Sequence, residues 1–160
     1  MRGEDGQEQQ PPLDRLLRQA LRRLDACQRQ VLAPLRLTPR QVEVLRALKG
    51  RGGMHQRDLA RRVDMDASTL AELARRLDTR GLIRRAPHRK DRRALALYLT
   101  PKGRRALQKA LPLMERADAM FLQGLHAKQR PSFVNALAAL AGRVCGCLED
   151  DDAAGGGGRA

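Results

Sequence analysis

The sequence predicts a mainly α-helical fold with one small β-hairpin, and three observations support this. Hydrophobic residues make up 42% of the 160-residue chain but aromatic residues only 2%. The core must therefore be aliphatic, which favours packed helices over an aromatic-rich β-sandwich. Most apolar residues recur at spacings of three and four, the period of an amphipathic helix. Residues 95–99 alternate leucine with Ala96 and Tyr98, which predicts a strand with its three leucines on one buried face.

The first helix is predicted after a polar segment, residues 1–11, that we expect to be disordered. Its apolar residues form a narrow seam, long enough to pair with a partner helix. They are Leu13, Leu17, Ala20, Leu24, Cys27 and Val31. Pro34 is expected to end this helix.

The second helix carries a clear start signal. Thr38 is a suitable N-cap, Pro39 fits the first helical position, and Gln41 stands where a capping box requires it. Glycines at positions 50, 52 and 53 are expected to end the helix. Its predicted buried residues are Val42, Leu45 and Leu48.

Two shorter helices are predicted from about Gln56 to Val63 and from Asp66 to Arg80, joined by a tight turn. Asp66 can cap the second of these helices, and Gly81 is placed to adopt the left-handed conformation that ends it. Their predicted inward residues are Leu59, Ala60, Val63, Leu70, Leu73, Ala74 and Leu77. A hairpin over residues 82–100 follows, which completes the order of elements of a winged helix-turn-helix.

Two helices are predicted in the C-terminal part. The first begins at Thr100-Pro101 and is open to a kink at Pro112, and the second begins near residues 128–131. Their apolar residues are Leu107, Leu111, Met114, Phe121 and Leu125, then Phe133, Leu137, Leu140, Val144 and Leu148. We expect a single domain over residues 12–148, with a winged helix-turn-helix lobe at 38–103, dimerisation helices at 12–34 and 104–148, and a disordered tail at 149–160. A monomeric helical cap is the alternative to a dimer.

The positive charge is concentrated in the middle of the chain. The net charge is +14, and residues 40–106 carry 19 Lys and Arg against seven Asp and Glu. This segregation predicts a polyanionic partner. A solvated surface in an Arg-rich proteome is the alternative, but it does not explain why the charge is segregated.

Several classes of protein are not expected. No apolar run reaches the length of a transmembrane helix, and the N-terminus lacks the apolar core of a signal peptide. The sequence shows no nucleophile elbow, phosphate loop or paired carboxylates, so we expect neither an enzyme nor a cofactor. Three cysteines and three histidines lack metal-ligand spacing, so we expect no metal and a reducing cytoplasm.

In combination, several segments resemble the multiple-antibiotic-resistance regulator (MarR) family of bacterial transcription factors. They are Leu37–Leu45, Asp58–Ala60, Asp66–Leu70, Leu77–Arg85, Asp91–Arg93 and Leu97–Gly103. The resemblance implies a cytoplasmic, nucleoid-associated homodimer on double-stranded DNA, acting on a pseudo-palindromic operator and usually as a repressor. In many relatives a small anionic aromatic carboxylate releases the DNA, and in others the oxidation of a cysteine does so.

The helix that begins at Asp66 is expected to lie in the major groove. Its predicted outward residues include Ser68, Thr69, Ala71, Glu72, Arg75 and Arg76. Ser68 and Thr69 can donate to phosphates or base edges, and either arginine can contact guanine. Ala71 can touch a thymine methyl group. Glu72 can accept from cytosine N4, although an ion pair with Arg76 is the preferred interpretation.

In the hairpin tip, the resemblance assigns minor-groove insertion to Arg93, with Asp91 orienting it. A narrow minor groove concentrates negative potential, which attracts arginine. Arg89, Lys90 and Arg92 are expected to contact phosphates, and a solvated charge run is the alternative.

The sequence indicates the signal only weakly. Arg22 and His55 are candidate effector contacts, and Cys27 is a candidate redox thiol, although a small buried hydrophobe is the preferred interpretation of Cys27. A disulfide between subunits through Cys145 or Cys147 is a further alternative. A nucleoid- or RNA-binding winged-helix protein without operator specificity is the competing hypothesis.

Overall fold

The computed structural model describes residues 11–87 and 95–142, and it confirms a mainly helical fold with a small antiparallel sheet. The chain divides into two compact units, Met1–Phe121 and Leu122–Ala160. The elements are α1 (Leu13–Leu32), α2 (Pro39–Leu48), β1 (Met54–His55), α3 (Gln56–Arg62), α4 (Ala67–Thr79), β2 (Ile83–Pro87), β3 (Leu95–Leu99), α5 (Pro101–Leu122) and α6 (Arg130–Gly142). The prediction of one domain over residues 12–148 stays a prediction.

Side-chain caps begin the two helices for which they are predicted. The Thr38 hydroxyl accepts a hydrogen bond from the Gln41 backbone N–H at 3.2 Å, and Gln41 Oε1 accepts from the Thr38 N–H at 3.1 Å. This reciprocal pair is the predicted capping box of α2. The Asp66 carboxylate accepts from the Thr69 N–H at 2.7 Å and caps α4 in the same way. Helix α1 ends at Leu32, and Pro34 lies in the single 3₁₀ turn that follows.

The core of the first unit is aliphatic, as the composition predicts. Every inward residue predicted on α2, α3 and α4 is buried except Leu73, which is half-buried at the core's edge. Each fully buried leucine stabilises the fold by about 1.5–3 kcal/mol relative to leaving it exposed. The largest of these side chains include Leu32, Leu45, Leu48, Leu59, Leu70, Leu77, Leu97 and Leu107.

The buried residues of α5 are mostly small. They are Gly103, Leu107, Ala110 and Ala117, whereas Leu111 and Met114 are partly buried at the core's edge. The small alanines allow close packing of this helix. Leu125 lies beyond the end of α5, which runs through Pro112 without interruption.

The sheet has the order β1-β3-β2, with both pairings antiparallel. Strand β1 is only two residues long and was not predicted. The prediction that Leu95, Leu97 and Leu99 share a buried face is wrong at its ends, since Leu95 is 49% exposed and Leu99 half-buried. Leu95 lies at the end of the strand, whereas Ala96 is fully buried because β3 is the middle strand and Ala96 pairs with residues on both neighbours.

Two glycines hold the junction between α4, the hairpin and α5. Gly81 has φ +68°, the left-handed conformation predicted for the end of α4. Gly103 has no room for a side chain, because a Cβ there would overlap the carbonyl oxygen of Leu82. The Thr100 hydroxyl accepts from the Gly103 N–H at 3.0 Å and donates to the Gly81 carbonyl at 2.8 Å. Close packing of α5 on Leu82 therefore explains the glycine that ends the Leu97–Gly103 segment.

The helices at the two ends of the described chain expose apolar side chains. On α1, the predicted seam is exposed at its start, at Leu13 and Leu17, and becomes buried by Val31. On α6, no residue is buried. Its large exposed side chains are Phe133, Val134, Leu137 and Leu140. Among the described helices, none is both long enough and apolar enough to cross a membrane.

Candidate nucleic-acid interface

The N-terminal turn of α4 is organised around Asp66. Hydrogen bonds from Ser68 and Thr69 hold the pKa of the Asp66 carboxyl well below its ordinary value, so it is ionised at neutral pH and caps the helix. The Ser68 hydroxyl donates to the Asp66 carboxylate. Since a hydroxyl has one proton, Ser68 must exchange this bond before it can donate to a phosphate. Thr69 is exposed beside it.

One turn further along α4, Glu72 lies between two exposed arginines. Arg75 donates from Nε to Oε2 and from Nη2 to Oε1, both at 2.9 Å. Arg76 donates from Nε to Oε1 at 2.8 Å. These hydrogen bonds lower the pKa of Glu72 to about 2. The preferred ion pair with Arg76 is confirmed, and the two-bond contact with Arg75 was not predicted.

The hairpin is attached to α4 through Arg85, which is not among the predicted DNA contacts. Its Nη2 donates to the Ala71 carbonyl at 3.3 Å, and its Nε lies 3.7 Å from Asp78 Oδ2. Ala71 is half-buried, so less of it is accessible than the predicted outward position implies. Its place on a strand just before a basic tip was the only sequence signal for this role. The signal was insufficient, because the partners of Arg85 lie 7 and 14 residues earlier in the chain.

The base of the hairpin is held by a second arginine. The Arg84 guanidinium lies 4.4 Å from the centre of the Tyr98 ring, its register partner on β3. The Tyr98 hydroxyl donates to the Pro87 carbonyl at 3.1 Å. The predicted tip contacts lie outside the described residues. They are Arg89, Lys90, Asp91, Arg92 and Arg93.

A cavity of about 540 Å³ lies between α1 and α2, with Met114 of α5 in its wall. Its cationic lining residues are Arg29, Arg40 and Arg46, and its acidic ones are Asp25 and Glu43. Arg40 is paired with Glu43 at 3.0 Å. The candidate effector contact Arg22 is exposed on α1 and does not line this cavity.

Asp118 interacts with two residues that line this cavity, Arg46 and Gln28. Desolvation raises the pKa of Asp118 on α5, while Arg46 and a hydrogen bond from Gln28 oppose that shift. Cys27 is a free thiol, half-buried against the core. Cys145 and Cys147 lie outside the described residues.

His55, the other candidate effector contact, lies elsewhere. It lines a separate, more open cavity of about 420 Å³ with Arg51 and Asp58. Arg22 and His55 are therefore not brought together. Within residues 11–87 and 95–142, no three potential metal ligands come together.

Comparison with known proteins places these features in context. A model of the MarR family matches residues 37–95. Transcriptional regulator HosA of Escherichia coli O157:H7 is 35% identical over 98 residues, which are 61% of this chain and 73% of HosA.

Two solved structures match most of the chain. Bordetella bronchiseptica BpsR, whose DNA binding is regulated by 6-hydroxynicotinic acid, has a TM-score of 0.74 and 28% identity, with 83% of this chain and 95% of BpsR covered. The transcriptional repressor CouR, bound to a 23-mer DNA duplex, has a TM-score of 0.74 and 30% identity, with 81% of this chain and 92% of CouR covered. The similarity therefore extends beyond the segment that the family model matches.

Proposed function

The chain belongs to the MarR family of DNA-binding transcriptional regulators, and we propose that it is a homodimeric repressor of a pseudo-palindromic operator. The observation that carries the proposal is the exposed surface of α4. A capped N-terminus there is followed by Arg75 and Arg76, and the opposite face of the helix is fixed in the core. A helix held in this way can enter a major groove without losing its packing.

In this proposal, α4 contacts base edges and phosphates, and the hairpin reaches the adjacent minor groove. Ser68 and Thr69 lie where the helix N-terminus favours a phosphate. Arg93 is the proposed minor-groove residue, oriented by Asp91. The phosphate contacts proposed in the hairpin tip are Arg89, Lys90 and Arg92. The attachment of Arg85 to Ala71 supports joint docking of helix and hairpin.

The dimer is proposed from uncovered apolar surface. Leu13, Leu16, Leu17 and Leu21 are 41–72% exposed on α1, which is costly for a helix in water. All of α6 that the structure describes is likewise without a buried residue. We propose that residues 12–34 and 104–148 supply the interface between two copies. Two α4 helices then lie about one DNA turn, ~34 Å, apart.

The α1–α2 cavity is the proposed effector site. It offers Arg29 and Arg46 to an anion, and its walls include Leu24, Val42 and Met114 for an apolar ring. BpsR supports the choice of a small aromatic carboxylate, because 6-hydroxynicotinic acid regulates its DNA binding. The proposal thus moves the effector contacts from Arg22 and His55 to Arg29 and Arg46. Oxidation of Cys27 is the less favoured signal, since that thiol is half-buried against the core.

Footprinting on the DNA upstream of the protein's own gene tests the repressor proposal, with the mass of the free protein measured by light scattering. We expect a dimer that protects a discrete palindrome, with an affinity that falls steeply as salt rises. Uniform coverage of the DNA supports the alternative of a non-specific nucleoid- or RNA-binding protein. A strictly monomeric protein contradicts the proposed dimer.

The effector site is tested by thermal shift with nicotinic and benzoic acids. A carboxylate that binds the folded state raises the melting temperature by mass action. We expect the shift to be lost in Arg46→Ala and kept in Arg22→Ala. An equal shift in both variants excludes the α1–α2 cavity.

A further inference from the structure

We propose that Glu72 is a positioning residue, which holds Arg75 so that the free end of its guanidinium reads a guanine in each operator half-site. This inference rests on the proposed function, in which α4 lies in the major groove. It assigns to Glu72 a role in specificity that differs from direct contact with cytosine.

The hydrogen bonds to Glu72 leave the terminal edge of the Arg75 guanidinium, between Nη1 and Nη2, available for DNA. A guanidinium has five N–H donors in a planar fork. Glu72 occupies the side of the fork formed by Nε and Nη2. The end of the fork, with an N–H of Nη1 beside the second N–H of Nη2, is not used by this contact. That pair of parallel donors matches O6 and N7 of guanine in the major groove.

Arg76 shares the same carboxylate but is held less completely. Its single bond, from Nε to Oε1, leaves the guanidinium free to turn about that contact. Two parallel bonds fix a plane, whereas one bond does not. The structure therefore distinguishes Arg75 as the residue with a defined orientation. Arg76 retains both of its terminal nitrogens for phosphates.

The expected benefit of positioning lies in DNA binding and not in the stability of the fold. The side chains of Glu72 and Arg75 are 44% and 65% exposed, so water screens their attraction and the pair adds little to folding. An arginine that is already ordered loses less conformational freedom on meeting DNA. The low pKa of Glu72 keeps the carboxylate charged throughout the neutral pH range.

Two other roles for Glu72 make different predictions. If Glu72 only repels phosphates, its removal strengthens binding to every duplex. If Glu72 itself accepts from cytosine, its removal weakens operator binding whether or not Arg75 is present. If Glu72 positions Arg75, its removal has an effect only while Arg75 is present, because coupled residues are not additive.

The experiment is a double-mutant cycle with wild type, Glu72→Ala, Arg75→Ala and the double variant. Each protein is titrated against a duplex that the wild type selects from a random library, and against a scrambled duplex of equal length. We expect Glu72→Ala to lose about tenfold in affinity for the selected duplex, within the range of one bidentate base contact. We expect no loss on the scrambled duplex and no further loss in the Arg75→Ala background.

A modified base gives a second readout. Replacing guanines of the selected duplex by 7-deazaguanine, one at a time, removes only the N7 acceptor. At one guanine per half-site the wild type should lose affinity, and Glu72→Ala should lose clearly less. Equal losses in the two proteins at every guanine contradict positioning.

The scrambled duplex of equal length is the matched control for the loss of one negative charge at residue 72. Circular dichroism should show that all variants are folded. Additive losses in the cycle overturn the proposal in favour of cytosine contact, and tighter binding of Glu72→Ala overturns it in favour of repulsion. If the wild type selects no duplex, the proposed function fails. The cycle is then run on poly(dG)·poly(dC), and an absence of coupling between Glu72 and Arg75 on that duplex contradicts positioning.

Discussion

The part of the chain from α2 to β3 completes its own core, whereas α6 does not. Between Val42 and Leu97, the predicted inward residues of three short helices are covered by the same chain. Along α6, apolar residues at helical spacing remain exposed. Similar apolar patterns therefore lead to two different outcomes. The residues of α2, α3 and α4 form the core of the lobe, whereas those of α6 form an exposed surface that is suited to contact with a second molecule.

The largest expected effect on stability distinguishes a core residue from an exposed residue of α6. Leu77→Ala removes a fully buried side chain and should lower the free energy of unfolding by about 2–5 kcal/mol at every protein concentration. Leu140→Ala alters a residue that is 71% exposed, so its effect should grow with protein concentration as dimers form. Urea denaturation at two concentrations measures both. A Leu140→Ala effect as large as that of Leu77→Ala, and independent of concentration, contradicts the comparison.

A second substitution tests the close packing inside the lobe. Gly103→Ala places a methyl group against the Leu82 carbonyl oxygen, which belongs to the backbone and cannot move aside easily. We expect a loss of about 1–3 kcal/mol, the usual range for overpacking. Gly52→Ala is the control, because its added Cβ meets no atom within 4 Å. Thermal unfolding compares the two, and equal melting temperatures mean that α5 can shift away from Leu82.

A smaller effect is expected at the start of α2. Thr38→Ala removes the side-chain oxygen that accepts from the Gln41 N–H, and it should cost about 1 kcal/mol. Thr38→Ser retains the hydroxyl and serves as the control. If the two variants have the same stability in urea, the cap does not contribute to folding.

The smallest expected effect is a dependence on pH. The pKa values of Asp66 and Glu72 are both lowered in the folded protein. Their contribution to stability is therefore complete above the unfolded pKa values, near 4, and declines as the pH falls below them. Comparing wild type with Asp66→Asn from pH 6 to pH 2 should show the difference between them shrinking. A constant difference across this range excludes the carboxylate charge as its cause.

The sequence was most informative where the signal is local. The Thr38–Gln41 capping box, the Asp66 cap and the left-handed Gly81 were all predicted, because each depends on residues within one turn. The contact of Glu72 with Arg76 was predicted for the same reason. Its two-bond contact with Arg75 was missed, since spacing alone does not determine which rotamer an arginine adopts.

Long-range contacts were not predictable in this way. Strand β1 is two residues long and exists because it pairs with β3, more than 40 residues later. Arg85 contacts Ala71 only because the hairpin folds back beside α4. The residues that line the α1–α2 cavity were not predicted either, because the face of α1 that meets α2 depends on tertiary packing.

By itself, the sequence determined the order of helices and hairpin, their caps and the concentration of charge in the middle of the chain. These follow from helix period, capping chemistry and formal charge, which each residue carries wherever it lies. Tertiary structure alone decided which of the apolar seams is covered within the chain, which strand is central and which arginines line a cavity. Those outcomes depend on which surfaces meet, and that meeting is set by the packing of distant segments against one another.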